Sequence, residues 1–175
     1  MIEMPTFAPQ PALLQPSPSP SPVPQTHLAI FRAISVNADA HRISRALTVP
    51  EYLEAWISIP GAAPGSLTLA SSQDNGYRLD HYSAHYSAHY SAHRSTLTIS
   101  GSFVFNHLRK IRLFWRKTSN TSRADSVVDF RLRGNFGTSV VEVRQTPVTS
   151  ADEYAWHDAL WQGSLEKLAL LFRSA

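Results

Sequence analysis

The residues best suited to chemistry stand close together near the start of the last predicted helix: Tyr154, His157 and Asp158. A histidine beside a carboxylate can carry out acid–base chemistry when both groups reach the same substrate atom. Adjacent helix positions point apart, however, and no matching serine or second carboxylate is identifiable nearby. We therefore interpret His157 as a helix-surface or pocket-lining residue and predict no catalytic residue. Catalysis by these three side chains is the alternative.

A tandem repeat supplies a second group of histidines. The unit His-Tyr-Ser-Ala begins at His81, His85 and His89, and His93 ends the series. In a strand, histidines four positions apart are separated by about 13 Å, too far for two of them to bind one ion. In a helix, neighbouring histidines lie about 6 Å apart and could chelate a metal. The flanking pattern favours a β-hairpin, so we predict no metal site and interpret the repeat as a lengthening of that hairpin.

The basic residues concentrate on one predicted strand and its flanking loops. The set comprises Arg109, Lys110, Arg112, Arg116, Lys117 and Arg123. Contact with phosphate or nucleic acid is one interpretation of such a cluster, and Phe114 inside it slightly favours that interpretation. The formal net charge is only +3, and stacking platforms for nucleic acid usually need several exposed aromatic residues. We predict a solvated face and no nucleic-acid partner.

The composition predicts one domain preceded by a tail. Residues 1–25 contain eight of the 12 prolines, which is typical of a disordered segment or of a ligand for a proline-recognising domain. Residues 26–175 are enough for one domain with its own core. Cysteine is absent, so neither a disulfide nor a thiolate nucleophile is possible. No secretion signal or apolar stretch of about 18 residues is evident, and we predict a cytoplasmic protein without a membrane span.

Hydrophobic periodicity predicts a sheet of six or seven strands. Residues 27–36 have the pattern of a first strand, and two short helices follow, one capped by Asn37 and one starting at Pro50. A turn at residues 74–76 begins an antiparallel meander. Its predicted strands cover residues 67–70, 76–82, 95–105, 111–115, 128–132 and 141–143.

The predicted sheet is followed by one long helix over residues 151–172. Ser150 and Glu153 have the spacing of a capping box at its start. Trp161, Leu165, Leu168 and Phe172 fall on one stripe, which we expect to pack on the sheet.

This order of elements, with several short motifs, resembles the helix-grip fold of the START-like, or SRPBCC, superfamily. The motifs are residues 47–53 with Trp56, Gly101 with residues 111–115, and residues 126–128, 137–138 and 157–161. They are similar to the heat-shock protein 90 ATPase activator homologue branch, although Leu160 stands where many relatives have glycine. The resemblance covers about residues 27–173. It implies an α+β helix-grip fold in which a curved antiparallel sheet wraps a long C-terminal helix and two short helices follow the first strand.

The resemblance also implies a cavity between sheet and helix, which the superfamily uses for apolar or amphipathic small molecules and occasionally for cyclase or hydrolase chemistry. We expect non-enzymatic binding of such a molecule, without a cofactor. A cyclase- or hydrolase-type enzyme is one alternative, and a chaperone-modulating interaction module, linked to the stress response, is the other. The candidate lining residues, several of which could equally belong to the core, are Trp56, Tyr77, Leu79, Phe103, Trp115, His157 and Trp161.

Deleting residues 82–89 removes two repeat units and tests the hairpin interpretation. The deletion keeps the period of four, so the two faces of the hairpin stay in register, and a shorter hairpin end costs little. We expect the midpoint of thermal unfolding, measured by circular dichroism, to stay nearly unchanged. A deletion variant that unfolds many degrees earlier would contradict this interpretation.

Overall fold

The strands and helices follow one another in the predicted order. The structure is a computed structural model that describes residues 28–62, 67–71, 76–85, 93–119, 123–135 and 137–173. The elements are β1 (Leu28–Val36), α1 (Ala40–Thr48), α2 (Pro50–Trp56), β2 (Leu67–Ser71), β3 (Gly76–His85), β4 (His93–His107), β5 (Lys110–Thr118), β6 (Arg123–Asn135), β7 (Thr138–Val148) and α3 (Ala151–Leu171). The predicted proline-rich tail lies outside the described residues.

The seven strands form one curved antiparallel sheet in the order β1-β7-β6-β5-β4-β3-β2. Each strand from β2 to β6 pairs with the next along the chain, and β1 pairs with β7 at the edge opposite β2. The chain crosses from β1 to the opposite edge through α1 and α2. This is the predicted α+β layout with two short helices after the first strand.

The two faces of the sheet differ in burial. In β5, Ile111, Leu113 and Trp115 are buried, whereas the residues between them are exposed, as expected for a strand with one wet face. The Trp115 ring lies 5.1 Å from the ring of Trp161 in α3. We therefore call the face that carries Trp115 the inner face, and the opposite face the outer face.

The cap of α3 is confirmed only in part. Ser150 Oγ accepts a hydrogen bond from the Glu153 backbone N–H at 3.2 Å, but the Glu153 carboxylate contacts Lys117 Nζ of β5 instead of closing a capping box. The predicted cap of α1 is wrong by two residues. Asp39, not Asn37, accepts the backbone N–H of Arg42, because the helix begins at Ala40 and a cap must stand directly before it.

The described part of the histidine repeat extends a β-hairpin, as predicted. Its pairing continues as far as His85 opposite His93, so β3 and β4 both extend beyond their predicted ends. Residues 86–92 of the repeat and residues 74 and 75 of the predicted turn lie outside the described part of the chain.

Gly101 allows its neighbours on β3 and β5 to approach closely. It pairs with Tyr77 of β3 on one side and with Trp115 of β5 on the other, so a side chain there would point to the inner face. A methyl group at this position would lie 2.5 Å from the Phe114 carbonyl oxygen and 2.7 Å from Cζ of Tyr77. The missing side chain therefore leaves room for the Tyr77 ring.

Replacing Gly101 by alanine should destabilise the protein by about 2–3 kcal/mol, because neither the carbonyl nor the packed ring can move away freely. Urea unfolding followed by tryptophan fluorescence gives the free energy of unfolding. Gly163→Ala is the control, since its methyl group would have looser contacts, 3.1 Å from Ser58 Oγ and 3.2 Å from Ser58 Cβ, and no backbone atom of a neighbouring element within 4 Å. Equal stability of the Gly101→Ala variant and the wild type would rule out the close approach.

Candidate functional site

The predicted cavity-lining residues belong to the core. Phe103 is half-buried, and the others are almost completely buried: Trp56, Tyr77, Leu79, Trp115, His157 and Trp161. Trp161 is 0% exposed and therefore borders no space that solvent can reach. Their role as the walls of a ligand cavity between sheet and helix stays a prediction.

A network of aromatic rings occupies the space between α3 and the inner face. The centre of the Trp161 ring lies 5.1 Å from the centre of the Trp115 ring and 5.5 Å from that of Phe130. The Phe130 ring is nearly perpendicular to the Trp161 ring. Tyr77 stands 6.1 Å from both Trp115 and Phe103, and Trp56 meets Phe130 at 6.4 Å. Phe130 was not among the predicted site residues, although its alternation in β6 placed it on the inner face.

Three buried polar groups form a directed chain beside these rings. The Trp161 indole N–H donates to Gln145 Oε1 at 2.6 Å, and Gln145 Nε2 donates to Ser126 Oγ at 2.7 Å. An indole can only donate, which fixes the orientation of the Gln145 amide. Trp115 Nε1, in contrast, is buried without a hydrogen-bond partner in the described residues. Gln145 was not among the predicted site residues, although the alternation that begins at Val141 and Val143 places it on the inner face.

His157 lies in a small polar cluster under the first turns of α3. Its Nδ1 is 2.9 Å from the Glu153 carbonyl oxygen and 3.3 Å from Glu153 Oε2. Both neighbours are acceptors, so Nδ1 carries the proton in the neutral ring, and Nε2 is a buried acceptor with no partner among the described residues. Burial lowers the pKa of His157 below 6.5, against the opposing effect of Glu153.

The other two candidates for acid–base chemistry have different surroundings. The Asp158 carboxylate forms an ion pair with Arg32 of β1, away from the Glu153 side chain that His157 contacts. Tyr154 is half-buried and packs against the apolar core. A cavity of about 110 Å³ borders His157 and Glu153, but Tyr154 and Asp158 do not line it. The structure therefore does not bring Tyr154, His157 and Asp158 to one point.

A groove of about 690 Å³ crosses five strands of the sheet, and we call it the sheet groove. It lies along the row of paired residues that runs from Tyr77 through Gly101 and Trp115 to Ser126. The side chains that alternate with this row belong to the outer face and border the groove on both sides. They are Arg78, Ser100, Ser102, Phe114, Arg116, Asp125 and Val127, and Pro147 of β7 lies at one end. Of the predicted site residues, Tyr77 and Trp115 are part of its lining.

Ion pairs compensate the charges around the sheet groove. Asp125 contacts Arg116 Nε at 2.8 Å and Arg123 at 3.0 Å. The hydrogen bond from Arg116, followed by that from Arg123, lowers the pKa of Asp125 to about 2. Arg112 pairs with Asp129 at 2.6 Å, and Lys117 is buried against Glu153. Four members of the predicted basic cluster are thus paired with carboxylates.

Neither a metal centre nor a membrane-spanning helix is found in the described part of the chain. No group of three or more histidine, cysteine, aspartate or glutamate side chains among these residues could hold a metal ion. None of the described helices is both long enough and apolar enough to cross a membrane.

Comparison with known proteins finds solved structures with the same fold. No protein-family model and no curated protein sequence matches the chain. A solved structure of an uncharacterized protein from Rhizobium leguminosarum superposes with a TM-score of 0.61 at 13% identity, covering 85% of this chain and 96% of that one. A protein from Chromobacterium violaceum superposes with a TM-score of 0.61 at 18% identity, covering 84% of this chain and 99% of that one. The Aha1 dimer from Colwellia psychrerythraea superposes with a TM-score of 0.53 at 14% identity, covering 84% of this chain and 97% of that one.

The chain has the helix-grip fold. Identities this low carry information about architecture and none about ligands or reactions. The fold predicted from the order of elements is therefore confirmed, and the sheet, its long helix and the two short helices correspond to the helix-grip layout.

Acidification should destabilise the protein through His157. Because burial lowers the pKa of His157 in the folded state, the unfolded chain binds this proton more readily, and the free energy of unfolding falls as the pH drops from about 7 to 5. Asp125 has a pKa of about 2, so its ion pairs stop stabilising the folded state only when the pH falls towards that value.

The measurement is urea unfolding at a series of pH values. His157→Gln should flatten the dependence between about pH 7 and pH 5. His41→Gln, at an exposed histidine of α1, controls for the loss of an imidazole as such. An unchanged slope in His157→Gln would mean that another group causes the dependence.

Proposed function

We propose that the protein binds an apolar or amphipathic small molecule without chemical turnover, and that the sheet groove is the binding site. The observation that carries this proposal is the size of the groove. Its volume of about 690 Å³ lies within the range of about 300–1,000 Å³ typical of small-molecule sites.

The walls of the groove suit a molecule with both apolar and polar parts. Phe114, Val127 and Pro147 provide apolar surface, and Phe114 is 56% exposed although it is a large aromatic residue. Ser100 and Ser102 add hydroxyl groups that can donate or accept hydrogen bonds. Because Arg116 and Asp125 neutralise each other, the groove favours an uncharged polar group over an ion.

A second location for the same function is the space between α3 and the inner face, which the resemblance implies. The unpartnered Trp115 Nε1 favours it, because a ligand acceptor would satisfy this buried donor. The aromatic rings would have to separate to admit a ligand there. Cyclase or hydrolase chemistry and a chaperone partner remain predictions of the resemblance, and a shared fold alone does not support either.

Removing the Phe114 ring tests the sheet groove. The probe is 6-propionyl-2-dimethylaminonaphthalene, an uncharged amphipathic fluorophore whose emission changes when it leaves water. We expect the wild type to bind it and Phe114→Ala to bind about tenfold more weakly, because a lost aromatic contact costs on the order of 1.5 kcal/mol.

Phe31→Ala is the matched control. Phe31 is a similarly exposed phenylalanine, 58% against 56%, and it lies on β1 outside the groove lining. Equal weakening in both variants would show that the probe adheres to exposed rings in general. Binding that survives Phe114→Ala but is lost in Trp115→Phe would favour the space between helix and sheet. An absence of binding by the wild type would count against the proposed function.

A further inference from the structure

A second cleft lies on the helical side of the molecule, between α1, α2 and the end of α3. Its volume is about 330 Å³, and we call it the helical cleft. Arg42, Arg45 and Ala46 line it from α1, and Tyr52 and Ala55 line it from α2. Leu171 and Phe172 complete it at the end of α3. It shares no residue with the sheet groove.

The two arginines of the cleft are held in place by aromatic rings. The Arg42 guanidinium lies 5.2 Å from the centre of the Phe172 ring, and the Arg45 guanidinium lies 5.7 Å from the Tyr52 ring. Positions 42 and 45 are three residues apart in α1 and therefore lie on the same side of the helix. A guanidinium stacked by its face keeps its N–H groups free at the edge, where they can bind an oxyanion.

The charges of the cleft are only partly compensated, because the Asp39 carboxylate that caps α1 interacts electrostatically with Arg42. Neither Arg42 nor Arg45 forms an ion pair with a described residue, in contrast to Arg112 and Arg116 on the sheet. The α3 helix also has no basic residue in its last turn, and Arg42 and Arg45 of α1 lie with Arg173 near its carboxyl end, where a positive charge is favourable.

The remaining surface of the cleft is apolar and accessible. Tyr52 is 41% exposed and Leu171 is 43% exposed, although both are large apolar residues. Ala46 and Ala55 are small and leave the space between the helices open. An acyl chain or a small ring system placed there would cover these side chains and gain hydrophobic stabilisation.

We propose that the helical cleft binds a single anionic amphiphile, with its apolar part on Tyr52 and Leu171 and its carboxylate, sulfonate or phosphate between Arg42 and Arg45. This site is separate from the sheet groove of the proposed function. It favours an anion, whereas the sheet groove favours an uncharged polar group. The concave shape and the volume of about 330 Å³ fit one molecule taken from solution.

The probe for the test is dodecanoate below its critical micelle concentration, and the measurement is isothermal titration calorimetry. The double variant Arg42→Gln/Arg45→Gln should bind at least tenfold more weakly, since each charge-assisted hydrogen bond is among the stronger kinds. The matched control is Arg131→Gln/Arg144→Gln, which removes two exposed arginines of β6 and β7 and the same net charge. Dodecyltrimethylammonium, which has an alkyl tail of nearly the same length and the opposite charge, should not bind.

Four results would overturn the proposal: undiminished binding in the Arg42/Arg45 double variant, equal weakening in the control, equal binding of the cationic amphiphile, or no binding of dodecanoate. Loss of dodecanoate binding in Phe114→Ala instead would assign the probe to the sheet groove and contradict both the helical-cleft site and the preference of the groove for an uncharged group. Sedimentation with phosphatidylglycerol vesicles without binding of free dodecanoate would indicate a membrane surface and contradict a single-molecule site.

Discussion

The position of the Trp161 ring constrains most of the structure. It packs against Trp115 of β5 and Phe130 of β6, and its N–H is held by Gln145 of β7. One side chain of α3 therefore fixes the helix against three neighbouring strands at once. A large buried aromatic ring contributes hydrophobic stabilisation. The buried hydrogen bond fixes the orientation of the ring, because leaving the indole N–H without an acceptor would be unfavourable.

This packing determines where a ligand can be accommodated. Rings occupy much of the space between α3 and the inner face, whereas the two larger clefts lie at the outer face and between the helices. Gly101 contributes to the same arrangement, because its missing side chain lets Tyr77 approach Trp115 within the sheet. The large aromatic side chains of the inner face are therefore buried against α3 and against one another.

The two clefts differ in their electrostatics for a structural reason. On the sheet, cross-strand pairing places arginines directly opposite aspartates, as for Arg116 and Asp125, and the charges cancel. On α1, Arg42 lies over the Phe172 ring at the end of α3, and Arg45 lies over the Tyr52 ring of α2. The sheet groove therefore suits an uncharged polar group, and the helical cleft suits an anion.

The sequence by itself determined the order of the elements, because alternation in strands and the helical stripe of Trp161, Leu165 and Leu168 depend only on local spacing. It also identified Tyr77, Trp115 and Trp161 as inward-facing residues, without deciding between core and cavity. Only the tertiary structure decided that question, since the free space beside a ring depends on partners such as Phe130 and Gln145 that are distant in sequence. The same holds for the charges: the sequence showed a cluster of arginines, and the strand register decided which of them meet a carboxylate.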